Sequence, residues 1–348
     1  MIYQTFHQYP SFLVFIAVVI TVLIICALTP AFIRIMKSVH LGQQVRDDGP
    51  ATHLVKQGTP TMGGLIMISA VVISILLVGI PDSKTWALLF VALAGALIGF
   101  YDDFRKIRDK STDGLSAKGK LLCQFAVACA FTLTAVNSLN IVPTLVIPFL
   151  GVIDLGILTT VIPIGENQIV IPWLYLVYCL LLLVGMCNAV NLTDGLDGLA
   201  SGCVMMVMMV LAIIAYRQNA LEPSIFSAAM CGACVGFLWF NSHPADIFMG
   251  DTGSLSLGMT VGALAILTKT EFLILLIGGL FVVEALSVMI QVYYFRKTGK
   301  RIFLMAPLHH HFEKKGWGET KVVVRFWMIS GLLAASGFAI YFASSMIS

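Results

Sequence analysis

Long apolar stretches alternate with short polar stretches along almost the whole chain. Most of the apolar stretches are close in length to a bilayer-spanning helix, which needs about 20 mostly apolar residues. Charged or turn-forming residues bound each stretch. The pattern predicts about ten transmembrane helices, at residues 12–36, 62–80, 86–101, 119–137, 172–188, 199–216, 224–240, 255–268, 272–295 and 323–346.

Two stretches depart from this simple pattern. Residues 255–268 are short for a span. Residues 138–171 are apolar but contain Pro143, Pro148 and Pro163. Proline at this density would leave backbone groups unpaired in lipid. We therefore predict that 138–171 forms a hairpin or short strands outside the membrane, and that 255–268 spans it.

Composition agrees with a membrane protein. Only 11% of the 348 residues are charged and 59% are hydrophobic, whereas a soluble domain carries about 25% charged residues. The predicted fold class is an all-α polytopic integral membrane protein, formed as one domain over residues 1–348. The net charge of +3 is too small to indicate a nucleic-acid partner.

The positions of the basic residues predict the orientation. With ten spans, all but three of the 21 Lys and Arg residues fall in or beside the loops after the odd-numbered spans; the exceptions are Lys84, Arg217 and Lys269. Basic loops tend to stay on the cytoplasmic side of a membrane. We therefore expect these loops in the cytoplasm, and the hairpin and both termini outside it.

Dense polar clusters all fall in the odd-numbered loops. Because acids, amides, glycines and histidines gather on one side, they predict a composite cytoplasmic active site. Ordinary solvated loops are the alternative. The clusters are KQGTPTMGG at 56–64, FYDDFRK at 100–106, NAVNLTDGLDGLA at 188–200, NSHPADIFMGDTGS at 241–254 and PLHHHFEKKG at 307–316.

Three aspartates in these clusters are candidates for binding a metal ion. Asp102 and Asp103 are adjacent carboxylates at the end of a span, and hard cations such as Mg²⁺ take oxygen ligands. A charged helix flank is the alternative. Asp251 has glycines on either side in GDTGS, where the backbone can approach a phosphate closely. A plain turn is the alternative there.

The segment NLTDGLDGL offers a second pair of acids. Asp194 and Asp197 have the i, i+3 spacing that places side chains on one face, provided that a helix begins here. Asn191, Thr193 or Asp194 can instead cap that helix. The segment therefore offers either two carboxylates on one face or a helix cap.

Three consecutive histidines and one glutamate complete the candidates. His309, His310 and His311 cannot all point the same way, so this run does not suit a three-histidine zinc site. We expect one or two of them to form hydrogen bonds or contact a phosphate. Glu284 lies inside the ninth span, where an ionisable group is costly and has either a functional or a structural partner.

Together and in this order, the clusters resemble the polyprenyl-phosphate N-acetylhexosamine-1-phosphate transferases. The DD, NLTDGLDGL and GDTGS motifs of that family stand at 102–103, 191–199 and 250–254, and PLHHHFE at 307–313 resembles its phospho-MurNAc-pentapeptide translocase (MraY) branch. The resemblance implies a bacterial inner-membrane enzyme that transfers phospho-MurNAc-pentapeptide from UDP-MurNAc-pentapeptide to undecaprenyl phosphate. Lipid I and UMP are the implied products, Mg²⁺ the implied cofactor, and a homodimer the family expectation.

The resemblance also implies roles for single residues. Asp251 is the expected Mg²⁺ ligand, Asp102 the expected base or acceptor-orienting carboxylate, and Asp103 its partner. Lys118 is expected beside a phosphate and Phe248 against uracil. The substrate-binding candidates are Lys56, Thr61, Lys118, Asn191, Asp194, Asp197, Asn241, Phe248, His309, His310 and His311.

The chemistry of the acceptor constrains the implied mechanism. A phosphate monoester has a second pKa of about 6 and is mostly dianionic at neutral pH, so a strong base is hardly needed. We therefore favour direct attack on the sugar-linked phosphate over an aspartyl-phosphate intermediate. The rival functions are a sister transferase that uses UDP-GlcNAc, a secondary transporter, which would need polar residues deep in several spans, and a non-catalytic lipid-binding scaffold.

Overall fold

The structure, a computed structural model, describes residues 2–38, 58–79, 81–109, 114–165 and 167–347. Helices dominate this part of the chain. They are α1 (Ile2–Phe6), α2 (Pro10–Ser38), α3 (Gly64–Val78), α4 (Ser83–Arg108), α5 (Ala117–Asn137), α6 (Trp173–Thr193), α7 (Leu199–Arg217), α8 (Leu221–Asn241), α9 (Gly250–Leu267), α10 (Ile274–Ile277), α11 (Gly279–Thr298), α12 (Leu308–Lys314) and α13 (Glu319–Ile347).

The long helices coincide with the predicted spans. Within the described ranges, eight of them are long and apolar enough to cross a membrane, namely α2, α4, α5, α6, α7, α8, α11 and α13. Helix α3 is apolar but has 15 residues, and α9 has 18. The prediction of a polytopic helical membrane protein is confirmed, since a helix lies at each of the ten predicted positions.

One predicted span is not a continuous helix. The apolar stretch at 272–295 is divided at Gly278, which separates the single turn of α10 from α11. Glycine weakens a helix interior because it has the most backbone freedom to lose. The hydrophobic pattern cannot reveal this break, since both sides of it are equally apolar.

Helix α9 lies in the centre of the bundle. Every residue from Thr252 to Leu267 is buried, and α3, α4 and α6 pack around it. Contacts this close require glycine: a Cβ on Gly99 of α4 would lie 2.1 Å from the Asp251 carbonyl oxygen, and a Cβ on Gly64 of α3 would lie 2.1 Å from the Gly253 nitrogen. From Thr252 to Leu267, α9 therefore has no surface left to face lipid, although residues 255–268 are short for a span.

Two antiparallel hairpins occupy residues 144–172, as the proline content predicted. Strand β1 (Thr144–Ile147) pairs with β2 (Gly151–Asp154), and β3 (Thr159–Ile164) pairs with β4 (Asn167–Pro172). The second hairpin is fastened to the end of α5, because the Asn137 side chain both donates to the Val170 carbonyl and accepts from the Val170 N–H. The hairpins therefore lie at the end of the bundle where α5 ends and α6 begins.

A buried ion pair holds the first hairpin at that same end. Lys269, just after α9, lies 2.7 Å from Glu271 Oε1 and donates to the Val142 and Thr144 carbonyl oxygens. The Tyr175 hydroxyl donates to the same Glu271 oxygen at 2.8 Å. Burial raises the pKa of the Glu271 carboxyl, and Lys269 opposes this rise. The Lys269–Glu271 pair thus joins the hairpin to the turn between α9 and α10.

Candidate active site

Three aspartates meet at the opposite end of α9. Asp102 and Asp103 stand in the last two turns of α4, and Asp251 stands in the first turn of α9. One carboxylate oxygen from each lies within 4.8 Å of the others. Asp102 and Asp103 are buried, at 1% and 5% exposure, whereas Asp251 is partly open to solvent. We call these three residues the acidic cluster.

Two lysines neutralise part of the acidic cluster. Lys106 Nζ lies 2.6 Å from Asp102 Oδ2 and 3.4 Å from Asp251 Oδ2. Lys120 Nζ, from the first turn of α5, lies 3.2 Å from Asp102 Oδ1 and 2.5 Å from Asp251 Oδ2. Two lysines thus face three carboxylates in the described part of the site, and a net negative charge remains there.

Asp103 forms different contacts from Asp102. Its carboxylate accepts the backbone N–H groups of Asp251 and Thr252 at 3.2 and 3.0 Å, and the Thr252 hydroxyl at 2.7 Å. These are N–H groups that the first turn of a helix leaves without a partner. Gly250 has φ +69°, and a Cβ there would lie 2.5 Å from Asp103 Oδ2. Asp103 therefore fixes the start of α9, and with it the place of Asp251.

Asn191 supports Asp251 from the end of α6. Its Nδ2 donates to Asp251 Oδ1 at 2.9 Å and to Ser254 Oγ at 2.8 Å. A further backbone bond orients Asp102, which accepts the Leu115 N–H at 2.8 Å. Asn191 thus lies in the site as predicted, in contact with the candidate metal ligand.

The segment before α3 lies against the segment before α9. The Phe248 N–H donates to the Pro60 carbonyl at 2.8 Å, and the Phe248 carbonyl accepts the Gly63 N–H at 2.9 Å. Thr61 is buried, and its Oγ1 would lie 3.0 Å from a Cβ on Gly250. Two predicted binding residues, Thr61 and Phe248, are thereby brought beside the acidic cluster; Lys56 lies outside the described residues.

Asp194 and Asp197 do not share a helix face. Helix α6 ends at Thr193 and α7 begins at Leu199, so both acids lie in the α6–α7 turn, residues 194–198. The shared face was predicted on the condition that a helix begins at this segment, and that condition was wrong. Asp194 follows α6 directly and its N–H donates to carbonyls of that helix, while Gly198 has φ +76°. The glycines of the motif form a turn where the i, i+3 spacing indicated a helix.

The α6–α7 turn is joined to the loop before α9. Asn241 is buried; its Oδ1 accepts the Gly198 N–H and the Ser201 hydroxyl, both at 3.1 Å, and its Nδ2 donates to the Ile247 carbonyl at 2.9 Å. Asp197 faces His243 Nδ1 at 3.0 Å. Asn241 and Asp197 therefore hold two of the predicted clusters together, whatever they contribute to binding.

The three histidines point in different directions, as expected. His309 is fully buried and its Nδ1 lies 3.3 Å from Glu284 Oε1, which identifies a partner for that glutamate. His310 Nδ1 lies 2.7 Å from Glu313 Oε2. His311 Nδ1 accepts the Leu304 N–H, and burial together with the nearby Lys315 lowers the pKa of its imidazole.

Lysines are the main feature that sequence reasoning missed. Lys118 is exposed at the start of α5, whereas Lys106 and Lys120 are the described lysines that contact the acidic cluster. Lys106 could have been found from its i, i+4 spacing to Asp102. No comparable signal distinguishes Lys120 from Lys118, because their separation depends on where α5 begins. The role predicted for Lys118 stays a prediction.

Two groups of described side chains are close enough to hold a metal ion. One is the acidic cluster, and the other comprises Asp197, His243 and Glu319. Carboxylate oxygens suit hard cations such as Mg²⁺, whereas a mixed set of oxygen and imidazole nitrogen donors suits transition metals better. The donor set of the acidic cluster therefore fits the predicted ion.

Comparison with known proteins agrees with this site. Residues 85–269 match the family model described as glycosyl transferase family 4, and residues 56–68 match the phospho-N-acetylmuramoyl-pentapeptide-transferase signature 1. A phospho-N-acetylmuramoyl-pentapeptide-transferase of Desulfotalea psychrophila is 47% identical over 336 residues, 91% of this chain and 89% of the relative. One of Neisseria meningitidis is 46% identical over 350 residues, which cover 95% of this chain and 93% of the relative. One of Rubrobacter xylanophilus is 45% identical over 313 residues, which cover 90% of this chain and 92% of the relative.

The chain belongs to the phospho-N-acetylmuramoyl-pentapeptide-transferase family. The predicted resemblance is thereby confirmed, and with it the class of enzyme. The matched signature contains Thr61 and the glycines at which α3 begins. In the structure the described part of this signature, residues 58–68, lies against Phe248 and Gly250, so these residues form one wall of the acidic cluster.

Proposed function

We propose that this chain transfers phospho-MurNAc-pentapeptide from UDP-MurNAc-pentapeptide to undecaprenyl phosphate, forming lipid I and UMP. The observation that carries the proposal is the acidic cluster, which lies at the end of a helical bundle of membrane-spanning length. At that level a lipid-linked phosphate arrives through the bilayer and a nucleotide sugar arrives from water. The names of the relatives, at 45–47% identity, support the same reaction.

The transfer is a substitution at phosphorus. An oxygen of the acceptor phosphate attacks the sugar-linked phosphorus, the bond from that phosphorus to the UMP oxygen breaks, and UMP leaves with the electron pair. The acceptor is already mostly dianionic at neutral pH, so its approach to a diphosphate is opposed mainly by charge. Lys106 and Lys120 stand where they reduce that repulsion, and positioning of this kind is the main route to phosphoryl transfer.

Mg²⁺ is the proposed cofactor. Asp251 and Asp102 would hold it, because Asp103 is engaged with the backbone of α9 and Asp251 is open to solvent. When bound, the ion neutralises charge on the diphosphate and on the departing UMP. Asn191 and Asp103 keep Asp251 in place for this contact.

We favour direct displacement over an aspartyl-phosphate intermediate. Each carboxylate of the acidic cluster already accepts hydrogen bonds or pairs with a lysine, and such contacts reduce the reactivity of a nucleophile. Labelled UMP, incubated with the protein and the donor but without lipid, should not enter the donor. Incorporation of label in the absence of lipid would overturn direct displacement.

We also propose an orientation with the acidic cluster in the cytoplasm and both termini outside. The basic loops support it, as does the position of the acidic cluster and the hairpins at opposite ends of the bundle. A reporter enzyme that is active only in the cytoplasm, fused after residue 348, should be silent. An active fusion would reverse the assignment. A homodimer stays a prediction of the resemblance.

The deciding experiment is UMP release by the purified, detergent-solubilised protein. We expect release when UDP-MurNAc-pentapeptide, undecaprenyl phosphate and Mg²⁺ are all present, and none when UDP-GlcNAc replaces the donor. Release with UDP-GlcNAc alone would favour the sister transferase. Absence of release from folded protein with either donor would favour a transporter. Against a transporter, Glu284 has a structural partner, because it accepts the backbone N–H groups of Leu308 and His309 at the start of α12.

A further inference from the structure

Glu284 is a buried carboxylate that the proposed reaction does not use. It lies on α11 with 0% exposure. Its Oε2 accepts the Leu308 N–H at 2.6 Å, and its Oε1 accepts the His309 N–H at 3.2 Å. The same Oε1 lies 3.3 Å from His309 Nδ1. Both oxygens are therefore directed at the start of α12, and one also faces the imidazole ring.

These contacts determine the tautomer of His309. A carboxylate that already accepts two backbone N–H groups is an anion with only lone pairs to offer. An unprotonated Nδ1 would place its own lone pair against those of the carboxylate, and the two would repel. Nδ1 must therefore carry a proton. In a neutral ring with the proton on Nδ1, Nε2 is bare and can only accept a hydrogen bond.

The second ring nitrogen is buried and has no partner among the described residues. It points at the α6–α7 turn, where a Cβ on Gly195 would lie 2.4 Å from Nε2. Only glycine can stand at this position without moving the ring or the turn. A buried polar atom without a partner is costly and requires an explanation, of which a ligand is one.

We propose that Glu284 is a positioning residue, which holds His309 as the Nδ1–H tautomer so that Nε2 accepts a hydrogen bond from a hydroxyl or amide N–H of the bound nucleotide-sugar donor. Glu284 touches no substrate itself and acts only through the ring. The identity of the ligand rests on the proposed function. The tautomer and its control by Glu284 rest on the geometry alone.

A first experiment reads the tautomer in the unaltered protein. In protein labelled with ¹⁵N-histidine, the nitrogen chemical shifts separate a protonated ring nitrogen from a bare one, and the His309 signals are those missing from His309→Ala. We expect Nδ1 protonated and Nε2 bare, and a change of the Nε2 signal when the donor is added without lipid. A protonated Nε2, whether Nδ1 is bare or also protonated, would overturn the proposal, as would an Nε2 signal that the bound donor leaves unchanged.

A second experiment asks whether Glu284 acts through His309. Glu284→Gln keeps the volume but presents an N–H₂ group to one of its partners. Loss of a group that orients a functional histidine typically costs about 10- to 100-fold in activity, so we expect kcat/KM for UMP release to fall by about that factor. In a His309→Ala background, Glu284→Gln should change kcat/KM less than about twofold, because coupled residues are not additive. Equal losses in both backgrounds would show that Glu284 serves only to hold α12.

Gln291 provides the matched control. It also stands on α11 and holds the same loop, since its Oε1 accepts the Ile302 and Phe303 N–H groups and its Nε2 donates to the Phe303 carbonyl. Gln291→Ala removes a similar number of backbone hydrogen bonds and no histidine contact. We expect kcat/KM to change less than about threefold, and a loss as large as that of Glu284→Gln would overturn the positioning role. If the protein releases no UMP, the proposed function fails while the ¹⁵N signals still test the tautomer.

Discussion

Two buried charged groups stand at the two ends of α9, about 27 Å apart for 18 residues at 1.5 Å per residue. At one end the acidic cluster brings three carboxylates to two lysines. At the other end Lys269 meets one carboxylate, Glu271, and two backbone carbonyls. The first group keeps a net negative charge among the described residues. In the second group one positive and one negative charge balance.

The difference separates a binding site from a structural contact. A buried charge is tolerated when an opposite charge and hydrogen bonds accompany it, and removing one partner is strongly destabilising. The Lys269–Glu271 pair meets this condition within the protein. The acidic cluster meets it only in part, so a cation or a charged substrate can complete it. Loss of charge should therefore impair catalysis at one end and stability at the other.

Asp251→Asn should have the largest effect on activity. It removes the solvent-accessible carboxylate on which Lys106, Lys120 and Asn191 converge, and electrostatic groups of this kind are worth about 100- to 1000-fold in turnover. We expect Mg²⁺-dependent UMP release to fall by at least that factor while the thermal unfolding temperature in detergent changes little. Near-normal activity would remove Asp251 from the metal site.

Lys120→Met should be the next most severe change. It withdraws a cation from Asp102 and Asp251 and leaves the start of α5 otherwise intact. We expect UMP release to fall by about 100-fold. Lys118→Met, two residues away and exposed, is the matched variant and should lose less than about threefold. The opposite order would restore Lys118 as the phosphate neighbour and show that Lys120 only pairs with the acids.

Gly99→Ala tests the geometry of the acidic cluster without altering a charge. A Cβ on Gly99 would lie 2.1 Å from the Asp251 carbonyl oxygen, and overpacking of this kind costs about 1–3 kcal/mol. We expect α9 to shift and UMP release to fall by about tenfold. Gly185→Ala on α6 is the control, since nothing lies within 4 Å of its Cβ, and it should be neutral or slightly stabilising. Equal behaviour of the two variants would argue against close packing at Gly99.

Lys269→Met should have the smallest effect on activity but a clear effect on stability. It leaves the Glu271 carboxylate buried without a cation, and removing one partner of such a pair costs about 3 kcal/mol. We expect a lower unfolding temperature at neutral pH with UMP release nearly unchanged at a permissive temperature. Lys84→Met, at the same end of the bundle, should change stability by about 0.5 kcal/mol or less.

The same variant has a pH dependence with a defined sign. Burial already raises the pKa of Glu271 above its ordinary value of 4.5. A carboxyl with a raised folded-state pKa favours folding below the unfolded value, and this contribution is lost as the pH rises through the folded-state pKa. Without Lys269 the pKa rises further. The deficit of Lys269→Met should therefore shrink as the pH falls toward 4.5, and a constant deficit would contradict the role of the ion pair.

Much of this architecture could be predicted from the pattern of apolar residues. Ten helical positions and the hairpins at 144–172 follow from span length and proline content, because both are local properties. The break at Gly278 and the α6–α7 turn did not follow. Each depends on where the backbone leaves a helix, which the apolar pattern does not record.

Residue type was enough to propose candidate residues for the site, but it could not show how packing arranges them. Carboxylates in the polar clusters indicated a metal site from chemistry alone, whereas a binding role for Asn191 came from the family resemblance. To predict the role of Asp103 at the start of α9, or the partner of Glu284, one would need to know contacts between residues that are far apart in the chain. Spacing cannot supply these, since α4 and α9 are separated by more than a hundred residues.

The enclosure of α9 has a consequence for how the protein is made. Eight of its 18 residues are glycine, serine or threonine, whereas leucine, isoleucine, phenylalanine and valine are the residues that favour entry into lipid. Helices α3, α4 and α6, which surround it, all precede it in the chain and leave the ribosome earlier. The nascent α9 can therefore move from the translocon into a protein-lined opening, where contact with its neighbours adds to the partitioning of its own apolar residues into lipid.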